Sequence, residues 1–429
     1  MTNNDHLNKL MSPKEWLLRI VFWGGALAVG AVAVLFAMGA QISYQWFHSM
    51  LSISLWLPFL LLPSGIALSV WLTKKFFAGS QGSGIPQTIA ALQNPNHEQL
   101  GRLLSLRIAT GKVALTLLPL CCGASIGREG PTVQIGASIM YSLRKFSRFT
   151  HHDQMNGLIV AGAAAGIAAA FNTPLAGIVF AIEELSRSYV QRTNGLVLTA
   201  VIFAGFAANA ILGNYTYFGT ISTSLGDNIG WLAVIACGVS GGIFGGLFSR
   251  ILISANDGWG GTIGRWMRSY PVRFAAACGI LLALIGLASG QHTYGTGYDE
   301  VREILAHGDA EYTGYGIFKF LATLVSYLSG IPGGIFAPSL AVGAGMGASL
   351  SHFISFVPAE TIIVLCMVAY FTGVTQAPLT SFVIVMEMTD NHNLILPLMA
   401  TALIAHGMSR IICHEPLYKA LAERFMKRM

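Results

Sequence analysis

The chain has 429 residues, of which 54% are hydrophobic and only 10% charged. A soluble domain carries about 25% charged residues, so this balance excludes an ordinary soluble enzyme and identifies a membrane protein. The formal net charge of +6 does not point to nucleic acid, because Lys9, Lys14, Lys74, Lys75, Lys427 and Arg428 flank apolar runs as membrane-edge charges do.

The N-terminus opens with polar "MTNNDHLNKLMSPKEW" and then turns apolar. No Arg, Lys, Asp or Glu falls between Ile20 and Ala40, between Met50 and Thr73, or between Phe320 and Ala359. Each gap is long enough for a hydrocarbon core of about 30 Å. The runs lack the alternation of a barrel, so they are expected to be helices. The first run is too long for a cleaved signal peptide, which predicts a retained first helix. Excess Lys and Arg at both ends predicts cytoplasmic termini.

Gly and Pro then cut the apolar runs repeatedly. The cuts are "GSGIP" (82–86), "GREGP" (127–131), "NTP" (172–174), "SGIPGGIFAP" (329–338) and "QAP" (376–378). Helices that stop inside a membrane expose their ends to a cavity rather than to lipid. The cuts also repeat. Gly127-x-x-x-Pro131 matches Gly334-x-x-x-Pro338 at an offset of 207, and Lys112 and Lys319 each stand 17 residues ahead, of Glu129 and Phe336 respectively. "PLAGIVFAIE" (Pro174 to Glu183) matches "PLTSFVIVME" (Pro378 to Glu387) at an offset of 204. These landmarks predict an internal duplication: a first half over 1–213, a polar linker over 214–228, a second half over 229–411, and a final helix with a basic tail over 412–429. A second polar stretch, 290–316, reads as a solvent-facing connection.

Paired interrupted helices are the pointer to a transport site between two halves. GREGP and GIFAP each place a Pro where a helix begins, a position that loses no N–H bond. Helix N-termini carry unpaired N–H groups and partial positive charge, and so bind anions. GSGIP repeats the pattern and adds the hydroxyl of Ser83. Three converging N-termini would hold an anion firmly enough to strip its water and weakly enough to release it. Glu129 stands at such an N-terminus, where its carboxylate competes for the anion's place when ionised and withdraws when protonated. A pairing with Arg128 is not expected, since adjacent helix residues do not face one another. Glu183 and Glu184, followed by Arg187, read on residue type alone as the solvated end of an apolar helix. Cys121, Cys122, Cys237, Cys278, Cys366 and Cys413 lack metal spacing and read as buried thiols, and no metal or cofactor is expected.

GSGIP, GREGP and GIFAP, in this order and at these separations, resemble the CLC family of chloride channels and proton-coupled chloride transporters. The resemblance continues through "AAFNTPLAGIVFAIEEL" to "EPLYKAL" and covers about residues 20–425. It implies an all-α polytopic membrane protein, an inverted repeat of broken, tilted helices, assembled as a homodimer with one pathway per subunit. It implies chloride coordinated by the hydroxyls of Ser83 and Tyr418 and by the amides of Ile335 and Phe336. The resemblance also implies that Arg128 and Gly130 belong to the helix N-terminus of the outer anion position. Glu129 matches the gating glutamate that accepts the external proton, and Glu184 the internal proton-transfer glutamate. Ser in GSGIP is similar to chloride-selective members, and the short chain is similar to bacterial inner-membrane ones. One departure is that Gln87 and Ile89 stand where some exchangers carry glutamates beside the basic residue matching Lys112. Lys112 is therefore expected either to lack that partner or to find another, for which Glu184 is a candidate.

The expected function is chloride/proton antiport, with a passive voltage- or pH-gated chloride channel or an uncoupled anion transporter on the same fold as the alternative. A hydrolase reading rests on "GASIG" (Gly123 to Gly127), whose nucleophile elbow needs a strand–turn–helix context and a His–acid pair that the sequence does not offer. His151 and His152 follow the basic "RKFSR" loop and read as surface residues.

Overall fold

The computed structural model describes residues 13–94, 101–145, 152–185, 190–213, 215–226, 228–308 and 314–427. Lys9, His151, Arg187 and Arg428, and the linker positions 214 and 227, lie outside the described residues. The first half contains helices α1 (Pro13–Leu51), α2 (Pro58–Phe76), α3 (Ile85–Gln93), α4 (Leu106–Cys121), α5 (Glu129–Ser142), α6 (His152–Phe171), α7 (Pro174–Phe180) and α8 (Val190–Leu212). The second contains α9 (Trp231–Gly258), α10 (Gly261–Ser269), α11 (Pro271–Ala288), α12 (Tyr298–His307), α13 (Tyr315–Leu328), α14 (Phe336–Ser351), α15 (Ala359–Thr375), α16 (Pro378–Thr389) and α17 (Ile395–Ile412), with α18 (Leu417–Met426) last.

Among the described residues, eight helices are long and apolar enough to cross a membrane. Large apolar side chains such as Leu35, Leu60, Phe206, Leu232 and Leu403 are exposed along them. In water such a belt would be a severe liability, and in lipid it is the expected outer surface. The protein is a multi-pass membrane protein. The charge-free window 320–359 is not one crossing: it is divided between α13 and α14 by the GIPGGI segment. Gly and Pro there stop one helix and start the next.

The core lies around α6 and α15. From Ile362 to Phe371, α15 is completely buried. Small residues allow its counterpart to pack as tightly: a side chain at Gly136 of α5 would strike the Gly162 carbonyl of α6, and one at Gly162 would strike that of Gly136.

The duplicated sequence landmarks meet reciprocally. Glu387 Oε1 and Oε2 accept from the backbone N–H groups of Leu175 (3.0 Å) and Ala176 (2.7 Å) at the start of α7. Glu183 Oε1 and Oε2 accept from Leu379 (3.1 Å) and Thr380 (2.7 Å) at the start of α16. Ahead of these starts, Asn172 and Gln376 both adopt left-handed backbone, with φ of 56° and 57°. Glu183 is thus no idle helix end: it caps a helix of the other half.

Two polar stretches are more buried than their composition predicts. Within 290–316, Thr293 and Tyr294 are buried, and Tyr44 donates to Glu300 Oε1 at 3.0 Å. Their carbonyls are needed inside, because Lys319 Nζ donates to Thr293 O (3.0 Å) and Gly295 O (2.9 Å). In the linker, Tyr217 and Phe218 are buried, with Phe218 N donating to Met388 O at 2.9 Å.

Candidate functional site

Three interrupted segments are stitched together by backbone hydrogen bonds. Gly127 and Gly334 exchange N–H···O bonds of 2.7 Å in both directions. Gly82 N donates to Ile331 O (3.1 Å), and Gly333 N donates to Gly82 O (3.0 Å). These four bonds bring the starts of α3, α5 and α14 to one place, each with its Pro in the first helical turn (Pro86, Pro131, Pro338). Glycine is required at the contact. Gly84 caps α3 with φ of 100°, and a side chain at Gly130 would strike the Ser83 hydroxyl on one side and come within 3.3 Å of Gly334 Cα on the other.

Ser83 and Tyr418 are buried there, and among the described residues neither hydroxyl makes a hydrogen bond of ordinary geometry, although the two lie close enough to act on each other. Tyr418, on the first turn of α18, lies within electrostatic reach of Glu184, Tyr327, Ser83 and Glu129. Its ring is 5.9 Å from that of Phe336, which in turn packs on Phe371 at 4.7 Å. Ile335 is the N-cap of α14 and Phe336 its first residue, so their amides are among the unpaired donors of that helix. A buried hydroxyl pair with no ordinary hydrogen bond, beside helix N-termini, is an arrangement that accepts an anion.

Glu129 is the first residue of α5 and is fully buried. Its carboxylate lies against the start of α14, where the Ala337 amide acts on it together with those of Arg128 and Glu129. Among the described residues, neither oxygen finds a hydrogen bond of ordinary geometry. Arg128 does face it after all, with Nε 3.9 Å from Oε1. Arg128 is the N-cap rather than a helical residue, so the rule for neighbours within a helix does not apply. At that distance the contact is loose. The same guanidinium reaches the linker residues Tyr217 and Tyr215, partners that the sequence reading missed because both sit in an ostensibly polar loop.

Glu184 lies in a single π-helical turn, Ala181–Leu185, that continues α7. Such turns insert a residue and shift side chains around the axis. Glu183 is thereby directed to α16 while Glu184 acts on Tyr418. Among the described residues, Lys112 is held by backbone oxygens rather than by a carboxylate. Its Nζ donates to Ser80 O (2.8 Å) and Gly82 O (2.6 Å), bracing the strand of chain that presents Ser83. Gln87, at the departing position, donates to Gln81 O in the same loop. Lys319 repeats the Lys112 arrangement on its own loop, at the sequence offset of 207.

A cavity of about 620 Å³ leads to Ser83, lined by Gly82, Gln87, Lys74, Arg102 and Tyr327 among others. Tyr327 was not singled out by the sequence reading. It lies beside SGIPGGIFAP rather than within it, and only the fold turns its hydroxyl toward Gly82, 3.7 Å from where a side-chain carbon would stand. Ser125 of GASIG is buried, 3.2 Å from Thr323 Oγ1, in a loop between helices.

Residues 65–410 match the family model described as voltage gated chloride channel. The chain is 30% identical over 456 residues to the H(+)/Cl(-) exchange transporter ClcA of Salmonella agona, covering 99% of this chain and 92% of that protein. It is 31% identical to the ClcA of Citrobacter koseri at the same coverage. Among solved structures, a slow cyanobacterial Cl-/H+ antiporter superposes with a TM-score of 0.81 at 27% identity, over 95% of this chain and 99% of that one. Because the family model spans most of the chain and the exchangers align with it nearly end to end, the chain belongs to the voltage-gated chloride channel family.

Proposed function

We propose that the protein exchanges chloride for protons across a membrane. The observation that carries this reading is the buried junction of three helix N-termini around Ser83, Tyr418 and Glu129. Chloride approaches Ser83 through the cavity that Tyr327 lines. It is held by the hydroxyls of Ser83 and Tyr418 and by the amides of Ile335 and Phe336, dipoles that attract it without a full positive charge. Arg128 and Gly130 belong to the α5 start that receives the anion farther out.

Glu129 occupies that outer place while ionised. Taking up a proton removes its charge and its claim on the α14 amides, so the side chain yields to chloride. Glu184 delivers protons on the inner side. The support for this division is that both glutamates act on Tyr418 while Glu129 lacks a fixed hydrogen bond. The same reading takes residues 1–213 and 229–411 as inverted repeats, supported by the reciprocal capping of Glu183 and Glu387. A homodimer with one pathway per subunit, a bacterial inner-membrane location and cytoplasmic termini follow from the family resemblance and the terminal Lys/Arg excess.

The test is proton movement in reconstituted liposomes under a chloride gradient at clamped voltage. Protons driven uphill by chloride support exchange. Chloride flux without proton movement replaces it with passive conduction and returns Glu184 to a structural role.

A further inference from the structure

The connection between α9 and α11 is itself a helix. Both neighbours are membrane-length, α9 ending at Gly258 and α11 beginning at Pro271. Helix α10 (Gly261–Ser269) therefore lies at the surface of the membrane and does not cross it. It takes no part in the proposed coordination of chloride.

Its residues sort onto two faces. Ile263, Trp266 and Met267 follow the i, i+3, i+4 spacing of one helical face, and Tyr270 continues it just past the end. Arg265 and Arg268 share the opposite side. The apolar face stays open: Ile263 is 58% exposed and Tyr270 53%. Trp266 meets the ring of Phe274 edge-on at 5.4 Å and is still 39% exposed. The basic face is open too. Arg265 and Arg268 are exposed, and their bonds to the carbonyls of Gly261 (3.4 Å) and Trp259 (3.3 Å) are long, so most of their donors remain for a guest. No Asp or Glu occurs between Asp257 and Asp299, and Asp257 accepts from Arg424 at 2.8 Å.

An exposed apolar face backed by arginines, without a carboxylate in the segment and at the height of the membrane surface, fits the boundary between acyl chains and anionic headgroups. A soluble acidic partner would answer the arginines and leave Ile263, Trp266 and Tyr270 in water. We propose that α10 docks in this boundary and binds anionic phospholipid, with Ile263, Trp266 and Tyr270 among the acyl chains and Arg265 and Arg268 on the phosphates. Met267 couples this site to the pathway. With Pro271 and Phe274 it lines the cavity that leads to Ser83, so the seating of α10 in lipid sets one wall of that cavity. Only this last step, from headgroup to cavity, rests on the proposed function.

The test uses full-length protein in vesicles of an equal mixture of phosphatidylglycerol and phosphatidylcholine. In one preparation the phosphatidylglycerol carries bromine on its acyl chains, in the other the phosphatidylcholine does, so only the quencher moves. The Trp266 signal is the difference in fluorescence between the wild type and Trp266→Phe. Brominated phosphatidylglycerol is expected to quench it about fivefold more strongly than brominated phosphatidylcholine, the scale of one cation at an anionic lipid surface. Arg265→Gln with Arg268→Gln is expected to abolish that preference, and Arg265→Lys with Arg268→Lys to keep part of it. Quenching by neither lipid would mean that protein covers the face, and would overturn the docking. Equal quenching by both, or an undiminished preference in Arg265→Gln/Arg268→Gln, would overturn the anionic-headgroup site.

Chloride flux is then compared between the same mixture and phosphatidylcholine alone. A turnover difference of about threefold in the wild type, absent in Arg265→Gln/Arg268→Gln, supports the link through Met267. The double variant also controls for the surface charge of the vesicle, which acts on both proteins alike. A lipid preference in the quenching with equal turnover would overturn that link alone. Absence of chloride flux in both vesicles would count against the transport reading and leave the quenching result standing.

Discussion

Helix N-termini meet carboxylates in two regions of this molecule, and the regions are built to opposite ends. At the starts of α7 and α16, Glu387 and Glu183 arrive from the other half of the chain and each bind two amides at 2.7–3.1 Å. At the junction of α3, α5 and α14, the carboxylate is the local Glu129, which among the described residues has no ordinary hydrogen bond and a guanidinium 3.9 Å away. Partial positive charge is common to both. In the first region the protein itself satisfies it, so the contact holds the halves together. In the second it is left available to a guest, with the hydroxyls of Ser83 and Tyr418 beside it. A helix start is therefore open to a guest only where its own chain does not close it.

The sharpest way to break this contrast is Glu129→Gln. The amide keeps the shape but does not ionise, so it neither takes up nor releases a proton, and chloride-driven proton uptake is expected to fall below detection while chloride flux persists. Uphill proton movement in this variant, measured with a pH electrode on liposomes, would remove Glu129 from the proton route. Glu183→Gln and Glu387→Gln are expected to act on stability instead. An amide accepts at one oxygen only, and its NH₂ turns toward a backbone N–H, so each change should cost about 1–3 kcal/mol. Thermal unfolding in detergent should show similar losses for the two, with proton coupling per folded molecule unchanged. Lost coupling at unaltered stability in either variant would erase the difference between the regions.

A smaller effect is expected from Ser83→Ala and Tyr418→Phe, each of which removes one neutral hydroxyl. Chloride affinity by calorimetry should weaken about three- to tenfold for either, the value of a single net hydrogen bond. Unchanged affinity in both would mean that the two hydroxyls serve something other than the anion.

How far these regions were legible in the sequence depended on whether the signal was local. The Gly and Pro cuts mark helix starts through backbone rules that hold anywhere, so GSGIP, GREGP and GIFAP located three starts that do converge. Glu183 was misread because its partners, Leu379 and Thr380, are nearly 200 positions away, although the repeated Glu at the end of PLAGIVFAIE and PLTSFVIVME was a sign that both had the same work. The 290–316 stretch looked solvent-facing because polarity was counted without asking where Lys319 would find acceptors. A buried lysine needs carbonyls or a carboxylate, and that requirement alone would have drawn a polar loop inward. For Lys112 the same logic was applied to side chains only, whereas the acceptors are the backbone oxygens of Ser80 and Gly82.

The smallest expected effect concerns Tyr327, which the sequence did not flag. Its hydroxyl faces the cavity beside Gly82 and acts on Tyr418, but its side chain is only partly buried, so water competes with any anion it meets. Tyr327→Phe keeps the ring and is expected to weaken chloride binding by about twofold, without loss of proton coupling. Combining it with Ser83→Ala sharpens the comparison, because the two hydroxyls lie along one approach. If they serve the same anion in succession, the double variant should depart from the sum of the single effects, and strict additivity would place them at independent steps. Glu183→Gln supplies the reference: it lies in the region closed by the protein itself, so its effect on chloride affinity should neither appear alone nor couple to Tyr327→Phe.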